Sequence, residues 1–126
     1  MYEVYLERAQ QLSGALEELR KQDLFPAAMA LLAVHKGIAF NDALLARLTG
    51  QVFKGENHDA ALVVTERTCK AKRLDRSGLT QLQKLLSAKS KVSYGDKRTS
   101  LESAIVLYLA AERFETWTYE RLKEIQ

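Results

Sequence analysis

The sequence predicts one all-α domain, a bundle of about five helices spanning residues 1–126. Three observations carry this. The strong helix formers Ala, Leu, Glu, Lys, Arg and Gln dominate between the breakpoints. Apolar residues recur at helical spacing, and no stretch alternates with β-branched residues as a strand would. The single proline, Pro26, and four of the six glycines fall where the periodicity breaks. Short connections between consecutive helices imply an up-and-down arrangement with antiparallel neighbours. At 126 residues and 47% apolar content the chain can bury a core without metal or disulfide support.

The first helix is expected from about Tyr2 to Lys21, with Tyr5, Ala9, Leu12, Leu16 and Leu19 on one face. Pro26 suits the first turn of the second, where its missing N–H costs nothing. That helix, to about Thr49, is apolar over most of its circumference and reads as the central one, with Gly50 as its stop. Lys54-Gly55-Glu56-Asn57 reads as a loop. The third helix starts at a cap on Asn57 or Asp59, turns Leu62, Val63 and Cys69 inward and ends near Lys72. The fourth carries Leu79, Leu82, Leu85 and Leu86 to about Ala88, followed by a polar loop over Lys89–Lys97. The last helix opens at Thr99 or Ser100, and Thr99 with Glu102 has the spacing of a capping box.

That last helix has two apolar stripes. Leu101, Ala104, Ile105, Tyr108, Ala111 and Phe114 form one, and Val106, Leu109 and Trp117 the other. The second stripe predicts a homodimer through Val106, Leu109, Arg113 and Trp117.

Net charge is +3, but it is unevenly spread. Residues 67–98 hold ten basic side chains and two acidic ones, a balance of +8. The remainder holds nine basic and fourteen acidic ones, a balance of −5. This asymmetry points to an anionic partner. Lys89, Lys91, Lys97 and Arg98 are expected together at one end of the bundle, beside the helix start at Thr99–Ser100, with Tyr94 as the fifth member of the anion-binding set. Tyr94 is the one aromatic in this segment, so phosphate contact by Lys and Arg is favoured over base stacking.

The lone Cys69 cannot form an internal disulfide and suits a reducing, cytoplasmic setting. One cysteine and two histidines make no zinc pattern, and no cofactor fingerprint occurs. No uninterrupted apolar run approaches the roughly 20 residues of a bilayer span. Met1-Tyr2-Glu3-Val4 does not open like a secretory signal, so no membrane partner is expected.

His35, Asn41, Asp42 and Arg47 interrupt the most apolar helix. Buried polar groups without partners would cost about 1–3 kcal/mol each, so a hydrogen-bonded network over His35, Asn41 and Asp42 is expected. The competing reading makes His35 a proton-transfer group oriented by Asp42, seven residues on. His58, beside Asp59, reads as a first-turn surface residue.

Ala33-Val34-His35-Lys36-Gly37-Ile38-Ala39-Phe40-Asn41-Asp42-Ala43-Leu44 resembles the second helix of HEPN domains (higher eukaryotes and prokaryotes nucleotide-binding). Asn57-His58-Asp59-Ala60-Ala61 resembles the turn opening their next helix, and Lys89-Ser90-Lys91-Val92-Ser93-Tyr94-Gly95-Asp96 their Arg/Lys…Tyr-Gly-Asp segment. Ala110-Ala111-Glu112-Arg113-Phe114 fits the last helix. The resemblance implies a helical bundle, commonly dimeric, whose active members are metal-independent ribonucleases using an Arg, four to six residues, then His. That motif is absent. Ala28, Met29 and Ala30 precede His35, and Gln51, Val52 and Phe53 precede His58 at the required spacing. Lys89-x4-Tyr94 stands in its place, and tyrosine cannot act as a neutral base near pH 7. Diverged members imply a non-catalytic module binding nucleic acid, nucleotide or a protein such as a nucleotidyltransferase, in a toxin–antitoxin or defence setting. The alternative is a degenerate ribonuclease using His35, Lys89 and Tyr94.

Overall fold

A computed structural model describes residues 1–55 and 57–125. It places five helices in the expected order: α1 (Tyr2–Gln22), α2 (Pro26–Thr49), α3 (His58–Ala71), α4 (Leu79–Tyr94) and α5 (Leu101–Glu124). No strand occurs among the described residues. Pro26 begins α2, and Gly50 ends it at φ 76°, a left-handed value that glycine adopts without strain. The Asn57 side chain caps α3 by accepting from the N–H groups of Asp59 and Ala60. The loop expected at 54–57 is present, though Glu56 lies outside the described residues.

Side-chain contacts fix the topology. Gln10 reaches Tyr119, Ser13 reaches Glu115, and Tyr108 donates to Glu17, so α1 and α5 are antiparallel. Lys36 meets Glu112 and Glu115, and Phe40 meets the Tyr119 ring, so α2 runs parallel to α5. Gly37 faces Leu85 while Asn41 lies near Leu82, which makes α4 antiparallel to α2. Gly78 lies under Trp117 and Val92 beside Leu107, which makes α4 antiparallel to α5. The parallel pair α2–α5 is therefore the centre, with α1 and α4 along its sides and α3 packed outside α2 and α4.

The core has two parts. One gathers Phe40, Leu44, Leu82, Phe114 and Trp117; the other gathers Met29, Ala33, Leu85, Ala104 and Ala111. Between them on α2 sits Lys36, fully buried. Its Nζ is 2.9 Å from Glu112 Oε1 and 2.7 Å from Glu115 Oε1, and Ser13 Oγ donates to Glu115 across 2.9 Å. The two carboxylates lie toward the surface, so the pairing draws a charged seam from the centre of the bundle outward.

Three expectations are corrected. The fourth helix continues six residues past Ala88 to Tyr94, because no Gly or Pro interrupts Lys89–Tyr94 before Gly95. Ser100, not Thr99 with Glu102, caps α5, its Oγ accepting from Ser103 N–H at 3.0 Å. Val63 points outward and is 49% exposed, since α3 buries only its Ala61, Thr65, Cys69 face. By length and average composition α2 would also suffice to cross a membrane, although its apolar runs are interrupted. Here 67% of its apolar window is buried inside the bundle.

Removing the Lys36 charge leaves two carboxylates facing each other across a core gap. Lys36→Ala is expected to cost about 3–5 kcal/mol in urea unfolding. Lys36→Met combined with Glu112→Gln and Glu115→Gln should recover most of that loss. A triple variant no more stable than Lys36→Ala would show that the ion pairs are not what the bundle needs there.

Candidate functional site

Lys91, Lys97 and Arg98 come together at the end of the bundle where α4 finishes and α5 begins. They line a cleft of about 310 Å³ with Thr99, Ser100 and Ser103. Its apolar floor is Ala88, Val92, Val106 and Leu107. The first turn of α5 adds backbone donors. Ser100 satisfies the N–H groups of Ser103 and Ala104, at 3.0 Å each, and those of Leu101 and Glu102 have no partner among the described residues. None of the three cations forms a salt bridge among the described residues. Three cations, a helix start with open N–H groups and three hydroxyl side chains are chemically suited to an anion with several acceptor oxygens.

The other two expected members are elsewhere. Lys89 stands two residues before Lys91, about 200° away around the helix. It is half-buried on the face toward His35 and His58, whose protonation it disfavours. Tyr94 is 82% exposed and does not line the cleft.

The expected His35–Asn41–Asp42 network does not form as such. Asn41 is buried and accepts from Thr65 Oγ1 at 2.6 Å, pairing with α3 rather than with its own helix neighbours. His35 is exposed and makes no hydrogen bond to Asp42. Partial desolvation, reinforced by Lys89, holds the His35 imidazole below its ordinary value. His58 is depressed by desolvation too, then by Lys89 and His35. Asp42, Asn41, Phe53 and His58 line a cleft of only about 50 Å³. That is room for a water or two, not for an organic substrate. His35 is exposed on α2 and Lys89 stands near it on α4, while Tyr94 is exposed at the end of α4.

Trp117, expected on the dimer face, is only 6% exposed. It stacks on Phe114 at 5.5 Å, and its Nε1 donates to Asp75 Oδ2 at 3.1 Å. A Cβ on Gly78 would lie 2.1 Å from the indole, so only glycine leaves room for the ring. Val106 (56% exposed), Leu109 (41%) and Arg113 do face outward.

Two groups of side chains escaped sequence reading. Lys36 lay unnoticed next to His35, although it shares the Met29, Ala33, Phe40 face and its partners Glu112 and Glu115 flank Phe114. Arg121 is nearly buried, donates to Asp75 at 2.8 Å and to Glu124 at 2.9 Å, and stacks 5.6 Å from the Trp117 ring. No spacing rule links Asp75 to Arg121 before the fold is known. Among the described residues, no group of three or more His, Cys, Asp or Glu is placed to hold a metal ion. No protein-family model matches the chain, and no curated protein matches it either. The class that fold and site define is an all-α five-helix bundle with a cationic cleft at one end.

Asp42 gives this region a pH dependence. Burial, offset in part by Arg8, pushes its carboxyl up to about 6 from the ordinary 3.8. Between those values the folded state keeps a proton that the unfolded chain has lost. Stability therefore falls as pH rises across that window and this contribution is constant above it. Asp42→Asn removes the penalty. After discounting for the side chain's partial exposure, the gain at pH 7 is on the order of 1 kcal/mol. It should vanish near pH 4. Urea titrations at both values check this, and an equal change at the two would contradict it.

Proposed function

We propose that this chain is a non-catalytic module that binds phosphate-bearing nucleic acid or nucleotide in the α4–α5 cleft. The observation that carries the reading is the convergence of Lys91, Lys97 and Arg98 on the open first turn of α5. Cations and backbone N–H groups recognise phosphate oxygens without reading bases, and the cleft lining has no aromatic ring to stack one. The sequence resemblance to diverged HEPN domains is compatible with such a role, in a cytoplasmic toxin–antitoxin or defence setting. The alternative reading, a degenerate ribonuclease using His35, Lys89 and Tyr94, would place its chemistry outside this cleft, whose lining contains none of the three.

Titration of a short single-stranded RNA and of a nucleoside triphosphate tests the proposal. Lys91→Ala/Lys97→Ala/Arg98→Ala should weaken binding at least about tenfold at low salt and flatten its salt dependence by roughly two to three units of slope. Lys70→Ala/Lys84→Ala, on basic residues outside the cleft, should change little. Equal, salt-insensitive binding by wild type and the cleft variant would refute the proposal.

A further inference from the structure

Three basic side chains from three elements converge on the seam between α2 and α4. Gly37 faces Leu85 and Asn41 lies near Leu82, so the two helices pass antiparallel in a fixed register. Ile38 and Asp42 on α2, with Leu82 and Leu86 on α4, line the small cleft that α3 covers. His35 stands one turn before Ile38, and Lys89 one turn after Leu86. Antiparallel passage puts these two at one level, just beyond the cleft. His58, the first residue of α3, forms a wall of the same cleft and overhangs them.

The cluster is poor in counter-charge. Lys89 forms no salt bridge among the described residues. Asp59 favours a proton on His58, but it is the weakest of the influences there. Asp42 is held toward its neutral form by burial, with Arg8 of α1 opposing. Among the described residues α5 presents no charge to either imidazole, and Glu56 lies outside them. The positive end of the α3 dipole adds to the opposition at His58. Both imidazoles are accordingly held below their ordinary value, first by desolvation and then by Lys89. The helix above them is lightly held. It buries only Ala61, Thr65 and Cys69, and among the described residues Thr65–Asn41 is the one side-chain hydrogen bond from it to another helix.

We propose that the start of α3 is a proton-operated latch, docked on the α2–α4 seam while His35 and His58 are neutral and lifted from it when both take up protons beside Lys89. Lifting uncovers Asn41 and the apolar floor of Ile38, Leu82 and Leu86. Each imidazole is harder to protonate under the docked helix than under the lifted one. Docking is therefore at full strength above the ordinary histidine value of 6.5 and weakens as pH falls below it. Asp42 acts in the opposite sense, but only between about 6 and 3.8, so the latch opens most clearly just below neutrality. The α4–α5 cleft takes no part in it.

Amide hydrogen exchange of the full chain, read by NMR from about pH 7.5 to about pH 5.5 and corrected for the intrinsic rate, tests the latch. Opening of the first turns of α3 should become several-fold more favourable on acidification, while amides of α2 and α5 keep their protection. His35→Gln/His58→Gln should abolish the response. Lys89→Glu should remove most of it and move both imidazole titrations to higher pH, an upward shift that a folding defect would not produce. In Glu56→Gln the response should persist. Exchange in wild-type α3 that ignores pH overturns the latch. So does a full response in the double histidine variant or in Lys89→Glu, and so does its loss in Glu56→Gln.

Discussion

Lys36 holds a full positive charge where the two halves of the core meet. An ammonium removed from water is costly unless carboxylates meet it at good geometry, and Glu112 and Glu115 do so at 2.9 and 2.7 Å. Because the two acids are one turn apart, they bracket the lysine along the axis and set the register of α5 on α2. Ser13 braces Glu115 from α1, so three helices are fixed at one level. Sliding α5 by a turn would strand the charge. An apolar contact at this level would tolerate such a slip with far less loss.

Both ends of the molecule follow from that register. Toward the C-terminus, α5 brings Trp117 and Arg121 onto Asp75, which pins the turn preceding α4. Toward its N-terminus, α5 starts beside the end of α4, and Lys91, Lys97 and Arg98 meet there. The cationic cleft is thus a consequence of how α5 is placed, although none of its three cations takes part in placing it.

The helices were legible because their signals are local. Pro26, Gly50 and Asn57 act through their own backbone geometry or their own side chain, and the leucines of α4 face inward as their spacing says. The misplaced boundaries came from reading polarity as loop: Lys89–Tyr94 is polar but contains nothing that stops a helix. The site was legible only in part. A count of charge along the chain joins Lys89 to Lys91, while the helix separates them by more than half a turn. Trp117 looked like surface because its stripe was read on α5 alone, and the glycine that receives it lies on another element. Lys36 looked like an ordinary polar residue because its partners are 76 or more positions away.

The central claim is that anion recognition belongs to the α4–α5 cleft and not to the histidine-bearing face of α2. Backbone amide shifts recorded by NMR during a titration with inorganic triphosphate separate these two surfaces directly. The account predicts the largest shifts at Leu101, Glu102 and Ser103, whose N–H groups open or border the cleft, together with Lys97 and Arg98. Shifts centred instead on His35, His58 and Lys89, with the first turn of α5 unmoved, would contradict it.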